Sequence, residues 1–184
     1  MGNIFSPDSH HNFTWDKLGD IAEGRGDLGV DVPVSVYRLM EYSMNHVLSA
    51  EFGPEMADEL FRKAGYKAGT EFAKNVLDVT LPLDDFAAVL QKELREQRIG
   101  VLRIENIVDD GDEIVLTVAQ DLDCSGLPAT GEVVCNYDEG FLAGVLDCYT
   151  HRRYTVREID CWASGARVCR FRCLAGPEPT PAAH

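Results

Sequence analysis

Apolar positions return at three- and four-residue intervals over residues 33–49, where Val36, Leu39, Met40, Ser43 and Val47 fall on one side of a helix. Pro33 suits a first helical turn, because its missing N–H would have no partner there anyway. A second helix is expected after Gly53-Pro54, to about residue 78, with Met56, Leu60, Ala64, Ala68, Phe72 and Val76 aligned. Its Ala64-Gly65 and Ala68-Gly69 pairs stand one turn apart, which permits another backbone to approach closely. A third helix is expected over 83–98, burying Phe86, Val89, Leu90 and Leu94, with Gly100 as its stop.

The period then falls to two. Val101, Arg103 and Glu105 alternate with Leu102, Ile104 and Asn106, and after Asp109-Asp110-Gly111 comes a β-rich run over 113–119. This reads as a hairpin. Asn136 with Glu139 three residues later matches a capping box, opening a helix over 137–149 whose end carries His151, Arg152 and Arg153. Strands are expected over 154–162 and 167–174, joined by a turn at Ser164-Gly165. The class is therefore α+β.

Length and composition bound the rest. At 184 residues the chain suits one domain, placed at 34–175. Residues 1–33 mix Gly, Asp and His with a few apolar residues, as an arm that covers the core or joins a dimer would; the proline-rich 176–184 is expected to be a disordered tail. A formal net charge of −14 repels phosphate backbones and anionic headgroups, so neither nucleic acid nor a membrane surface is an expected partner. An apolar run of the ~20 residues that span a bilayer is missing, and Met1–Asp16 lacks the basic and apolar regions of a signal peptide. The expected compartment is the cytoplasm, where cysteines stay reduced.

All six cysteines (Cys124, Cys135, Cys148, Cys161, Cys169 and Cys173) lie in the last third of the chain. Zinc takes four ligands from thiolate, imidazole and carboxylate, and the segment from Cys135 to Cys169, with Glu158 and Cys161 between, offers such a set. Spacing alone leaves other readings open: the cysteines are also small buried hydrophobes, and Cys124, Cys148 or Cys173 could replace one of the four. Cys124, in Asp-Leu-Asp-Cys-Ser-Gly, has the look of a loop residue. Glu158 and Cys161 differ by an odd number, so a regular strand would turn them to opposite faces; a bulge or strand end is needed to bring them together.

Cys135-Asn-Tyr-Asp-Glu-Gly-Phe-Leu-Ala-Gly144, then Val156-Arg-Glu-Ile-Asp-Cys161, Gly165 and Cys169-Arg-Phe171, resembles the signature of the 4-vinyl reductase domain family. The resemblance spans residues 122–174, with a fainter likeness over the helices of 34–98. In aromatic-sensing members a cysteine, a glutamate and two further cysteines bind zinc; carried over, these are Cys135, Glu158, Cys161 and Cys169. The family implies helices packed on a curved antiparallel sheet around an apolar pocket, often in a dimer. The fold implied is similar to that of trafficking-particle subunits, and the zinc would join the last helix to the C-terminal strands.

The function so implied is that of a zinc-containing sensor or adaptor for an apolar aromatic or lipid-like molecule, signalling to a regulatory partner in trans rather than acting as an enzyme. The alternative is an accessory or reductase-like protein of tetrapyrrole biosynthesis. Phenol sensors of the family grip the hydroxyl with a histidine and a tryptophan; Trp15 and Trp162 both stand away from the helix-to-hairpin region, which favours a more apolar ligand. Candidate lining residues are Phe72, Phe86, Leu90, Ile104, Leu116 and Phe141. A reductase would want a nucleotide site, and Gly24-Arg-Gly26-Asp-Leu-Gly29 has the spacing of a dinucleotide loop without the preceding strand and following helix that the loop requires.

Overall fold

The computed structural model describes residues 13–177. After a short turn of 3-10 helix at Trp15–Leu18 come α1 (Ile21–Gly24), α2 (Val34–Phe52), α3 (Pro54–Val76) and α4 (Leu83–Glu96). They are followed by β1 (Val101–Val108), β2 (Glu113–Ala119), α5 (Asn136–Thr150), β3 (Tyr154–Asp160) and β4 (Cys169–Ala175). The sheet is antiparallel throughout in the order β1-β2-β4-β3, so the C-terminal hairpin enters beside β2.

The α3–α5 pair is the tightest packing in the molecule, and glycine is the reason. A Cβ on Gly69 would lie 2.0 Å from the carbonyl oxygen of Phe141, and one on Gly140 2.0 Å from that of Arg62. Gly65 and Gly144 meet the facing backbone in the same way. The Ala-Gly steps thus let the two backbones touch. α5 in turn contacts β3, and α4 contacts β1. The core lies between them, built from Phe72, Leu94, Leu102, Leu116, Val145, Val156 and Phe171.

Three local readings change. α2 has no buried residue, and the side bearing Val36, Leu39, Met40 and Val47 is exposed. Its polar side faces inward instead: Tyr37, Arg38 and Tyr42 all hydrogen-bond to the loop that follows β2. Asn136 is the first residue of α5 rather than its cap, with Cys135 in that position. The capping box does not form, because Asn136 accepts from Arg62 and Glu139 accepts the backbone N–H of Glu158. At the end of α4 the left-handed residue is Arg98, ahead of Gly100, where a Cβ would press on Val118. His10, His11 and most of the tail fall outside the described residues.

Candidate functional site

The site grows from three segments. The loop after β2 folds around Asp121, whose Oδ1 accepts the N–H groups of Asp123 at 2.9 Å and Cys124 at 3.2 Å. That turn carries Cys124 inward, where it is wholly buried. Cys135 comes from the cap position of α5. Cys161 and Cys169 come from the C-terminal hairpin, and the register of β3 shifts between Glu158 and Asp160. This bulge lets Cys161 return to the buried side that Tyr154, Val156 and Glu158 occupy.

The sulfurs of Cys124, Cys135, Cys161 and Cys169 all lie within 4.8 Å of one another, and none is in a disulfide. A tetrahedral ion with metal–sulfur bonds of roughly 2.3 Å holds its sulfurs about 3.8 Å apart. Cys135 Sγ stands 3.8 Å from Cys161 Sγ and 3.8 Å from Cys169 Sγ, which matches that edge; Cys124 Sγ is 3.1 Å from Cys169 Sγ. The donor set and spacing fit a closed thiolate site that could bind a metal.

Without an ion the cluster shares protons among its thiols. Hydrogen bonds from Cys124, Cys135 and Cys169 pull Cys161 below the usual thiol range, while bonding to Cys124 first pushes Cys135 and Cys169 up. Glu158 borders the cluster. Its Oε2 accepts the N–H groups of Val134 at 3.2 Å and Cys135 at 3.0 Å, and its Oε1 is buried without a hydrogen-bond partner among the described residues. Burial raises this carboxyl to about 8. Five donors therefore surround a space suited to one ion: the four implied by the resemblance, and Cys124. Sequence reasoning read Cys124 as a loop residue; the available signal was Asp121, an acceptor three residues upstream that can curl such a loop inward.

On the far side of the core, α4, α5 and the sheet enclose a cavity of about 720 Å³. Phe86, Leu90, Ile104 and Leu116 line it, together with Leu102 and Tyr149 among others. Phe72 and Phe141 are placed elsewhere, packed on each other across the α3–α5 contact with ring centroids 5.3 Å apart. Phe86 and Tyr149 stack at 3.8 Å and 9°, making one flat wall of the cavity. The polar groups at its rim already have partners: Tyr149 Oη donates to the carbonyl of Leu81 and Tyr154 Oη to that of Gly111. Trp162, by contrast, donates its indole N–H to Leu127 beside the cysteine loop.

Fold and site together define an α+β domain with an apolar cavity beneath its sheet and a thiol cluster at the corner between helix and strand. Residues 114–174 match the family model of the 4-vinyl reductase domain, so the chain carries a domain of that family.

Two uncharacterised proteins of Methanocaldococcus jannaschii are similar over most of the chain. One is 26% identical over 144 residues, covering 78% of this chain and 76% of its own; the other is 29% identical over 145 residues, covering 79% of each.

Among solved structures, the phenol-responsive sensory domain of the transcription activator PoxR superposes with a TM-score of 0.58 at 13% identity, over 79% of this chain and 76% of that domain. A vinyl-4-reductase family protein from Methanocaldococcus jannaschii gives 0.56 at 13% identity, covering 82% and 85%. Subunit 3 of the trafficking protein particle complex from Naegleria fowleri, covalently bound to palmitic acid, gives 0.62 at 14% identity, covering 78% and 95%. At these identities the likeness is one of fold. Among the described residues no helix is long and apolar enough to cross a membrane.

Proposed function

We propose that this chain is a zinc-containing small-molecule sensor or adaptor domain whose ligand is an apolar aromatic or lipid-like compound. The observation that carries this reading is the cavity of about 720 Å³, walled by apolar side chains and the stacked Phe86–Tyr149 pair. A pocket of this size and character suits a drug-sized apolar molecule, which gains affinity by leaving water. The neighbouring structures lend support, since one senses phenol and another holds palmitic acid. The rim hydroxyls, already bonded to backbone carbonyls, favour a ligand with few polar groups.

Zinc would sit among Cys135, Cys161, Cys169 and a fourth donor. The resemblance implies Glu158 in that place, while the sulfur spacing supports Cys124, with Glu158 holding the N–H groups of Val134 and Cys135. Either set would tie the loop after β2 or the hairpin to the start of α5, as a structural ion does. Zinc supplies cross-linking here, and four protein ligands leave no open position for hydrolytic chemistry.

Occupancy would act through a partner in the cytoplasm. The exposed Val36, Leu39, Met40 and Val47 on α2 support a homodimer through that helix, and a ligand can bias such an assembly only by binding its two states unequally.

Native mass spectrometry of protein purified without added metal tests this proposal. One zinc per chain and a co-purified apolar compound are expected. Protein that reduces a vinyl tetrapyrrole, or folded protein with neither zinc nor affinity for apolar compounds, would contradict it.

A further inference from the structure

Beside the thiol cluster lies a second group of metal-ligating side chains that the proposed function does not use. Glu41 from α2, Asp121 and Asp123 from the loop after β2, and Asp138 from the first turn of α5 converge there. Asp121 and Asp123 are 3% and 4% exposed, buried as deeply as the core leucines. Glu41 lies against Asp123, and Asp138 against Asp121. Donor atoms of Asp121, Asp138 and Cys135 lie within 4.8 Å of one another.

Their inner oxygens are bonded: Asp121 Oδ1 takes two backbone N–H groups, and Asp123 Oδ1 accepts from Tyr37 Oη at 2.9 Å. The outer oxygens are not. Asp123 Oδ2, Glu41 Oε2 and Asp138 Oδ2 are all buried and without a hydrogen-bond partner among the described residues. Arg38, the nearby cation, donates to the carbonyl oxygens of Leu122 and Ser125 rather than to these carboxylates. Several carboxylates without a counter-charge are costly to bury.

A way in exists. Glu41 and Asp123 open onto a polar cavity of about 890 Å³, lined also by Tyr42, Asn45, His46 and Asn136. The unpartnered Asp123 Oδ2 therefore stands at the boundary between the acidic cluster and a space large enough for a hydrated ion.

We propose that Glu41, Asp123 and Asp138 bind a hard divalent cation of the Mg²⁺, Ca²⁺ or Mn²⁺ class, at a site separate from the cysteine cluster. Hard dications take carboxylate, carbonyl and water oxygens, and keep several waters where the protein supplies few ligands; the 890 Å³ cavity has room for them. The two neighbouring sites differ in softness, so thiolates select zinc and carboxylates the harder ion. The cation would join α2 to the cysteine loop and the start of α5, linking the helix with the exposed apolar face to the corner where the thiols meet. The inference stands independently of any ligand in the apolar cavity.

Manganese is the probe. Zinc-loaded protein freed of other divalent ions is titrated with Mn²⁺, and free Mn²⁺ is read from its electron paramagnetic resonance signal. One Mn²⁺ per chain is expected to disappear from the free signal while zinc content stays constant. In the Glu41→Gln, Asp123→Asn double variant, affinity should fall at least tenfold with zinc retained. Tb³⁺ provides a second reading on the wild-type protein alone, since Tyr37 and Tyr42 stand close enough to sensitise its emission and excess Mn²⁺ should quench it. The proposal is overturned by wild-type protein that leaves all Mn²⁺ free, by Mn²⁺ that enters only as zinc leaves, or by binding unchanged in the folded double variant.

Discussion

Glu139 and Glu158 interlock α5 with β3. Glu139 Oε1 accepts the backbone N–H of Glu158 at 2.8 Å, and Glu158 Oε2 accepts the backbone N–H of Cys135 at 3.0 Å. Each carboxylate thereby secures the segment that carries the other, and the chain around Cys135 is held whether or not an ion is bound. Arg62 from α3 bonds the other oxygen of Glu139. Replacing Glu139 with Ala should cost about 2–4 kcal/mol in urea unfolding, because a buried N–H and a guanidinium lose their acceptor together. Glu139→Gln, which keeps an acceptor, should lose clearly less; equal losses would mean the interlock contributes little.

The glycine notch between α3 and α5 gives a sharper stability test. An added methyl at Gly69 or Gly140 meets a carbonyl oxygen of the facing helix, so a backbone must move. Gly69→Ala and Gly140→Ala should each lower unfolding free energy by about 3 kcal/mol or more. Gly24→Ala, where nothing lies within 4 Å, should stay within about 0.5 kcal/mol.

The fourth zinc ligand can be settled by substitution. Thiolates must lose their protons to bind a metal, and Cys135 and Cys169 hold theirs firmly in the metal-free cluster. Zinc binding should therefore release protons, seen as a calorimetric enthalpy that varies with buffer, and zinc should leave on acidification. If Cys124 is a ligand, Cys124→Ser will weaken zinc far more than Glu158→Gln; the reverse order would return the fourth position to Glu158.

Metal-free protein should also show an unusual pH profile. Burial first of all raises Glu41 and Glu158 to about 8 and Asp123 to about 7, from ordinary values of 4.5 and 3.8. Carboxyls whose folded pKa lies above the unfolded one favour folding while protonated. Their contribution is present below about pH 4 and is lost as pH rises towards 8. The urea midpoint of metal-free protein should fall between pH 5 and pH 8, and divalent metals should oppose that fall. A midpoint that rises over this range would contradict the placement of these groups.

Much of the architecture was legible in the sequence because periodicity reports which residues share a face. The helices over 33–49, 54–78 and 83–98, the first hairpin and the terminal hairpin all follow from it, and the odd spacing of Glu158 and Cys161 demanded the bulge that β3 has. What periodicity does not report is which way a face points. Val36, Leu39 and Met40 share a side of α2, but Tyr37, Arg38 and Tyr42 have carbonyl and carboxylate partners near residues 121–125, so the polar side turns inward. The acidic cluster was hidden for a related reason. Asp121 and Asp123 look like solvated loop carboxylates, and only the fold brings Glu41 and Asp138 to them across long stretches of chain. Asn136 and Glu139 had the spacing of a capping box, yet Arg62 and the N–H of Glu158, both distant in sequence, take their oxygens.

The most direct test of the central claim is whether an apolar ligand enters the cavity between α4, α5 and the sheet. Binding of a naphthalene-based fluorophore would be compared between the wild-type protein and Ile104→Trp, a substitution at a half-buried lining position that fills the space. Saturable one-to-one binding by the wild type, weakened at least tenfold in a folded Ile104→Trp variant, is the expected result. Equal binding by both, or none by either, would contradict a ligand-binding role for this cavity.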